Sequence, residues 1–148
     1  MAINPDFSDL FAALNDAGAR YLLVGGYALA VHGVPRFTKD LDVWTEPTPE
    51  NARLAMNALG TFGAAMESLE EADLARPGIV FQIGLAPNRV DIVTAIDGVN
   101  FADAWSARIT ATYGEQHISV IGRAHLIANK RATGRPQDLL DAGMLEGN

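Results

Sequence analysis

The chain has 148 residues, a formal net charge of −7, 49% hydrophobic residues and no cysteine. This length is close to that of one domain, which buries about 68–70% of its unfolded surface, so we predict a single domain over residues 1–148. Without cysteine there are no disulfides or thiolate ligands, and any metal must be bound by oxygen or imidazole. The acidic balance argues against a protein that binds nucleic acid mainly by neutralising phosphates.

Neither the N-terminus nor the longest apolar stretch predicts membrane targeting. The opening MAINPDFSDL lacks a basic segment followed by an apolar core. The stretch Tyr21–Val34 contains three glycines and a histidine and is shorter than the roughly 20 residues of a membrane span. We therefore expect a cytoplasmic protein with no membrane partner.

The hydrophobic pattern predicts an alternation of helices and strands. In chain order, these are a helix capped by Asp6 and ended by Gly18, strand Arg20–Val24, helix Tyr27–His32, strand Leu41–Thr45, a helix opened by Thr48-Pro49, strands Ile79–Leu85 and Arg89–Ile96 as a hairpin, helix Phe101–Ala107, strand His117–Ile121, and helices Arg123–Thr133 and Pro136–Leu145. This mixed order predicts an α/β (α+β) fold, with a mixed β-sheet flanked by helices.

Two aspartates lie two residues apart on the second predicted strand. Asp40 and Asp42 therefore share one face, while Leu41 and Val43 point into the core. At about 6 Å and an effective dielectric near 20, their repulsion is roughly 2–3 kcal/mol, and a divalent cation such as Mg²⁺ would offset it. On spacing alone, a solvated edge strand explains the pair equally well.

A glycine pair stands upstream, where the first strand meets a helix. Gly25 and Gly26 allow close backbone approach to a phosphate, and a helix starting at Tyr27 would present free N–H groups to it. Helix–sheet packing also favours glycine at such a junction. The surrounding GGYALAVHG contains neither the GK[ST] of a P-loop nor a GxGxxG dinucleotide motif.

These residues resemble the DNA polymerase β-like nucleotidyltransferase superfamily. Its signature is a hydrophobic residue, a glycine pair or Gly-Ser, a gap of 9–13 residues and D-h-[DE]-h. Here Val24-Gly25-Gly26, thirteen residues and Asp40-Leu41-Asp42-Val43 match it. The superfamily carries a third acid on a later strand, and Asp91 in NRVDIVTAI is placed to supply it.

Two segments, GGYALAVHGVPRFTKDLDVW and LIANKRATGRPQDLLDA, look more specifically like the AbiEii-type toxin nucleotidyltransferases and their small relatives. In that group a late K-x-x-A and R-x-x-D-x-x-D complete the site. Arg135, Asp138 and Asp141 match the second motif, whereas Lys130 and Ala132 are one residue too close for the first. Known AbiEii-type toxins carry a C-terminal region absent from this sequence, so the acceptor is not carried over.

The resemblance implies Mg²⁺- or Mn²⁺-dependent transfer of a nucleoside monophosphate from an NTP to a hydroxyl of RNA, protein or a small molecule. Asp40, Asp42 and Asp91 would be the catalytic residues and metal ligands. The predicted nucleotide-binding residues are Gly25, Gly26, Tyr27, Arg36, Lys130 and Arg135. A toxin or antitoxin partner protein is expected, and two alternatives are a non-catalytic nucleotide-binding module and a structural domain that binds neither metal nor nucleotide.

Three further residues have both structural and functional interpretations. Residues placed like His32 and Trp44 more often cap a helix or pack in the core than bind ligands. For Asp138, stabilisation of a helix start and a role in the site are equally good explanations.

Overall fold

The computed structural model describes residues 3–147. The helices are α1 (Pro5–Ala17), α2 (Gly25–Val31), α3 (Pro49–Phe62), α4 (Glu71–Leu74), α5 (Phe101–Ser106), α6 (Arg123–Thr133) and α7 (Pro136–Gly147). The strands are β1 (Tyr21–Val24), β2 (Asp40–Thr45), β3 (Val80–Leu85), β4 (Asn88–Val93), β5 (Ile109–Tyr113) and β6 (Gln116–Val120). The predicted mixed α/β architecture is therefore confirmed.

All six strands form one sheet in the order β3-β4-β2-β1-β6-β5. The pairs β2–β4 and β1–β6 are parallel, and the other three neighbouring pairs are antiparallel. Strand β1 is central and buried along its whole length, which explains its continuous apolar sequence Tyr21–Val24. Among residues 3–147, no helix is long and apolar enough to cross a membrane.

Several predicted boundaries differ from the structure. Asn4, rather than Asp6, caps α1, because its side chain accepts hydrogen bonds from the Asp6 and Phe7 backbone N–H groups at 2.9 and 3.4 Å. The predicted strand Arg89–Ile96 ends at Val93. The short helix α4 and the edge strand β5 were not predicted; β5 is mostly exposed, so hydrophobic alternation gives it little signal.

One buried amide ties the start of β1 to the end of β2. Asn51 on α3 is 3% exposed. Its Oδ1 accepts from the Arg20 backbone N–H at 2.7 Å, and its Nδ2 donates to the carbonyls of Arg20 and Glu46 at 3.0 and 3.1 Å. This connection sets how α3 meets the strand that carries the acidic pair.

Replacing this amide should therefore destabilise the fold. We expect Asn51→Ala to lower the free energy of unfolding by roughly 2–3 kcal/mol, because the Arg20 N–H and the carbonyls of Arg20 and Glu46 lose their hydrogen-bond partner. Asn57 on the same helix is exposed, and Asn57→Ala should change stability by less than about 0.5 kcal/mol. Urea denaturation measures both, and equal losses would contradict the structural role of Asn51.

Candidate active site

The turn between β1 and α2 places backbone directly beside an aspartate of the neighbouring strand. Gly25 begins α2 with a φ of +70°, and Val24 is the register partner of Asp42. A Cβ built on Gly25 would lie 2.2 Å from Asp42 Oδ2. Only glycine fits this position, both for its backbone conformation and for the space available.

The second glycine is less constrained. Gly26 has no positive φ, and a Cβ there would lie 3.2 Å from Cβ of Thr38. The helix begins at Gly25 rather than at the predicted Tyr27, and it is seven residues long. Gly25 is therefore the residue that the turn requires, while Gly26 faces the segment preceding β2.

Strand register brings the three predicted catalytic aspartates together. Strands β2 and β4 are parallel, with Asp42 opposite Asp91 and Asp40 opposite Arg89. Residues two apart on a strand share a face, so all four side chains project from the same side of the sheet. The side chain of Asp40 is 41% exposed and that of Asp91 is 13% exposed.

Arg89 lies between two of these carboxylates. Its Nε and Nη2 donate to the two oxygens of Asp91 at 2.9 and 3.2 Å, and Nη2 also lies 3.4 Å from Asp40 Oδ2. Sequence reasoning missed this arginine. Its position two residues before Asp91 on the same strand face was the available signal.

The middle carboxylate has no ion-pair partner of its own among the described residues. The pKa of Asp42 is raised to about 6, first by burial and then by the negative charges of Asp91 and Asp40. Arg89 and Lys130 oppose this effect without cancelling it. Asp42 is therefore the group with the strongest demand for an additional cation.

The donor chemistry of this site fits Mg²⁺, which prefers carboxylate oxygens completed by water and phosphate. Asp40, Asp42 and Asp91 would supply the oxygens, and a cation would offset the burial and the neighbouring negative charges that raise the pKa of Asp42. Within residues 3–147, however, no three acidic or histidine side chains are already gathered around a common metal position. Arg89 would have to release Asp40 and Asp91 before a cation could bridge them.

A cationic cleft lies beside the aspartates, between the loop after α2 and the helices α6 and α7. It has a volume of about 340 Å³ and is lined by Gly26, Arg36, Thr38, Lys130, Arg135 and Asp141, among others. It therefore gathers four of the six predicted nucleotide-binding residues: Gly26, Arg36, Lys130 and Arg135. The raised Arg135 pKa reflects its hydrogen bond to Asp138.

Two buried carboxylates position these cations. Asp138 Oδ2 accepts from Arg135 Nε at 2.7 Å and from Thr133 Oγ1 at 2.8 Å, and its Oδ1 lies 3.4 Å from Lys130 Nζ. Burial alone would raise the Asp138 pKa, but these hydrogen bonds and charges lower it to about 2. Asp141 pairs with Arg36 and lies 3.7 Å from Lys130 Nζ. Asp138 and Asp141 thus act by holding cations in place.

A second cavity, the carboxylate cavity, adjoins this cleft and reaches Asp42. Its volume is about 270 Å³, and its lining includes Gly25, Asp42, Val93, Ala95 and Lys130. The cavity and the cleft have four lining residues in common, Gly26, Lys130, Arg135 and Asp138. Cations and carboxylates therefore line one continuous depression.

The ring of Tyr27 contributes to the core and lies outside the lining of both depressions. It makes edge-to-face contacts with Phe7 and Tyr113, at centroid distances of 5.7 and 6.5 Å. Burial raises the pKa of its hydroxyl, followed by the charges of Tyr113 and Asp40. The structure thus does not place this ring with the other predicted nucleotide-binding residues.

The structural interpretations of His32 and Trp44 agree with their contacts. His32 ends α2, and its Nε2 lies 2.7 Å from the Ile121 carbonyl oxygen. Trp44 is 1% exposed and meets Phe101 edge to face at 5.0 Å. Capping and packing therefore account for the positions of these two residues.

The sequence matches no protein-family profile and no curated protein. Among solved structures, TM1012 from Thermotoga maritima, a proposed nucleotidyltransferase, aligns with a TM-score of 0.64 at 14% identity, over 99% of this chain and 94% of that one. The lincosamide antibiotic adenylyltransferase LnuA, bound to lincomycin, gives 0.60 at 12% identity, over 97% of this chain and 96% of its own.

These likenesses confirm the predicted fold: the six-stranded mixed sheet and its helices are arranged as in nucleotidyltransferase structures. At such low identity they concern the fold alone. Neither protein is named as an AbiEii-type toxin, so that narrower resemblance stays a prediction.

The contact between Gly25 and Asp42 predicts a coupled mutational effect. Gly18 has a similar φ of +72°, but no atom lies within 4 Å of the position that its Cβ would occupy, so Gly18→Ala should cost only the roughly 1–2 kcal/mol of the left-handed conformation. Gly25→Ala should cost about 1–3 kcal/mol more because its Cβ overlaps Asp42. In an Asp42→Ala background most of this excess should disappear, because only the Asp42 Cβ, 3.1 Å away, remains close. Urea denaturation of the four variants tests this, and an excess that persists in full would contradict the contact.

The raised pKa of Asp42 predicts a pH-dependent cost of ionisation. An acid with a folded pKa near 6 and an unfolded value of 3.8 binds more protons when folded, so its contribution to stability falls as pH rises through this window. The stability gained by Asp42→Asn should therefore be about 1 kcal/mol larger at pH 8 than at pH 5. Urea denaturation in metal-free buffer at both values measures this, and an equal gain would argue against the shift.

Proposed function

We propose that this protein catalyses Mg²⁺-dependent transfer of a nucleoside monophosphate from an NTP to an acceptor hydroxyl. The observation that carries this proposal is the register of Asp42 against Asp91, with Gly25 pressed against Asp42. Paired oxygens beside a side-chain-free turn accommodate a metal-bound phosphate. The nucleotidyltransferase fold supports the same interpretation.

The cationic cleft is suited to hold the triphosphate. Its cations are positioned by buried acids, so little side-chain entropy would be lost on binding an anion. Arg36, Lys130 and Arg135 face two carboxylates, Asp138 and Asp141. These five side chains therefore carry a net charge of +1, which is available to attract a phosphate. In our proposal, Lys130 and Arg135 bind the β- and γ-phosphates, next to the backbone of Gly26.

In the proposed site Asp40 and Asp42 would hold Mg²⁺ ions and Asp91 would hold the one nearest the acceptor. Bound Mg²⁺ would neutralise phosphate charge and favour ionisation of the acceptor hydroxyl. The protein's own part is to align the two substrates and to stabilise the charge that develops on pyrophosphate. Binding of Mg²⁺ would supply a positive partner for Asp40 and Asp91, and the phosphate would supply a negative partner for Arg89, so that Arg89 could release the two carboxylates.

A small molecule is the acceptor that we favour over RNA or protein. LnuA, which is named as an adenylyltransferase of lincosamide antibiotics, is matched along nearly its whole chain. The net charge of −7 also weighs against a polyanionic acceptor. A toxin–antitoxin role remains a part of the proposal that rests on the sequence resemblance, and a cytoplasmic location remains one that rests on the N-terminal sequence and the hydrophobic pattern.

The alternative function is binding of NTP and metal without turnover, as in a regulatory module. The ion pairs of Arg89 favour it, because they hold Asp40 and Asp91 in a metal-free arrangement. An enzyme and a binding module would respond differently to the loss of the Asp91 charge, since in our proposal Asp91 would hold the metal nearest the acceptor and would not hold the triphosphate.

The variant Asp91→Asn distinguishes an enzyme from a binding module. We expect transfer of label from each radiolabelled NTP to acceptors in a small-molecule extract to fall by about 10²–10³, whereas NTP affinity should change by less than about threefold. Asp16→Asn, an exposed change on α1, is the matched control and should leave both unchanged. EDTA should abolish transfer by the wild type. Full activity in Asp91→Asn would exclude its role, and wild type that binds NTP but labels no acceptor would favour the binding module.

A further inference from the structure

A third depression, the apolar cavity, lies on the same sheet face as the aspartates. Its volume is about 350 Å³, and its lining includes Trp44, Pro47, Pro77, Thr94, Val99 and Phe101. Trp44 follows Asp42 by two residues on β2, so its Cα lies about 6.6 Å further along the same face. The mechanism above makes no use of this cavity.

The apolar cavity adjoins the carboxylate cavity. Ala95 lines both of them, and Val93, which lines the carboxylate cavity, is the register partner of Trp44. The three depressions therefore follow one another in the order cationic cleft, carboxylate cavity, apolar cavity. In-line phosphoryl transfer places the leaving group and the attacking group on opposite sides of the phosphorus. The cationic cleft and the apolar cavity, on opposite sides of the carboxylate cavity, suit these two groups in turn.

The lining of the apolar cavity excludes a phosphate and favours an uncharged ring. Among its lining residues the only charged one is Glu46, which is already paired with Arg20 at 3.5 Å. The indole Nε1 of Trp44 is buried and meets no hydrogen-bond acceptor within residues 3–147. A ligand with an apolar body and a polar oxygen suits this lining, which also includes Thr48, Thr94 and Asn100.

We propose that the apolar cavity binds the acceptor, a small uncharged molecule with an aromatic or aliphatic ring and a hydroxyl directed toward the adjoining carboxylate cavity. This inference rests on the proposed nucleotidyl transfer. The acceptor oxygen forms a bond to the α-phosphorus as the bond between that phosphorus and the α–β bridging oxygen breaks. Pyrophosphate leaves on the side of the cationic cleft, and the hydroxyl proton passes to solvent.

The probe for this cavity is 2-naphthaleneethanol, which combines an uncharged ring system with a primary hydroxyl. Binding is followed by isothermal titration calorimetry, and a dissociation constant on the order of 1 mM or lower is expected for a molecule of this size. Transfer is followed by mass spectrometry of its nucleoside monophosphate ester. NTP binding is measured separately with a fluorescent NTP analogue.

Two phenylalanine variants on α5 provide the matched comparison. Ala102 is exposed and lines the apolar cavity, whereas Ser106 is exposed and does not. Ala102→Phe should weaken naphthaleneethanol binding at least about tenfold by occupying the space, with NTP affinity unchanged. Ser106→Phe should change neither.

The possible outcomes separate this inference from the proposed function. If NTP binds but naphthaleneethanol does not, or if both variants weaken it equally, the acceptor cavity is wrong while nucleotidyl transfer stands. Failure of the wild type to bind NTP with Mg²⁺ overturns the proposed function and the acceptor role with it. Loss of probe binding and of the ester product in Ala102→Phe alone supports the inference.

Discussion

Repulsion among three carboxylates on one sheet face is the constraint to which the surrounding residues respond. Strand register places Asp42 directly opposite Asp91. The backbone of neither residue can move without shifting a strand inside the sheet. Arg89 offsets the charges of Asp91 and Asp40, but Asp42 keeps a pKa near 6 because it is buried between them. The Mg²⁺ that we propose for this site would offset this cost.

The same chain uses a second pair of acids for the opposite purpose. Asp138 and Asp141 are buried, yet each is satisfied by cations and hydrogen-bond donors, and the Asp138 pKa is low. They hold Lys130 and its neighbours at the edge of the cleft, where flexible side chains would otherwise be mobile. Carboxylates with equal formal charge thus differ in role because their partners differ, an effect that burial alone does not reveal.

The relation between the three depressions links the fold to the proposed chemistry. Parallel pairing of β2 with β4 puts Asp42 and Trp44 beside Asp91 and Val93, so polar and apolar surfaces follow one another along two strands. Helices α6 and α7 then bring the basic segment against the polar end. A reaction that joins an apolar acceptor to a triphosphate would need both kinds of surface within a few ångströms.

Local sequence was enough to predict most of the elements and the structural placement of the two strongest motifs. Alternation along β2 puts Asp40 and Asp42 on one face, and the glycine pair marks a strand-to-helix junction. Both features were predictable because they depend only on neighbours within a few residues. Tertiary packing was needed to establish that Asp91 faces Asp42, that Arg89 bridges Asp91 and Asp40, and that Tyr27 packs into the core. Those outcomes depend on strand register and on helices distant in the chain, and local periodicity carries no information about which segments pair.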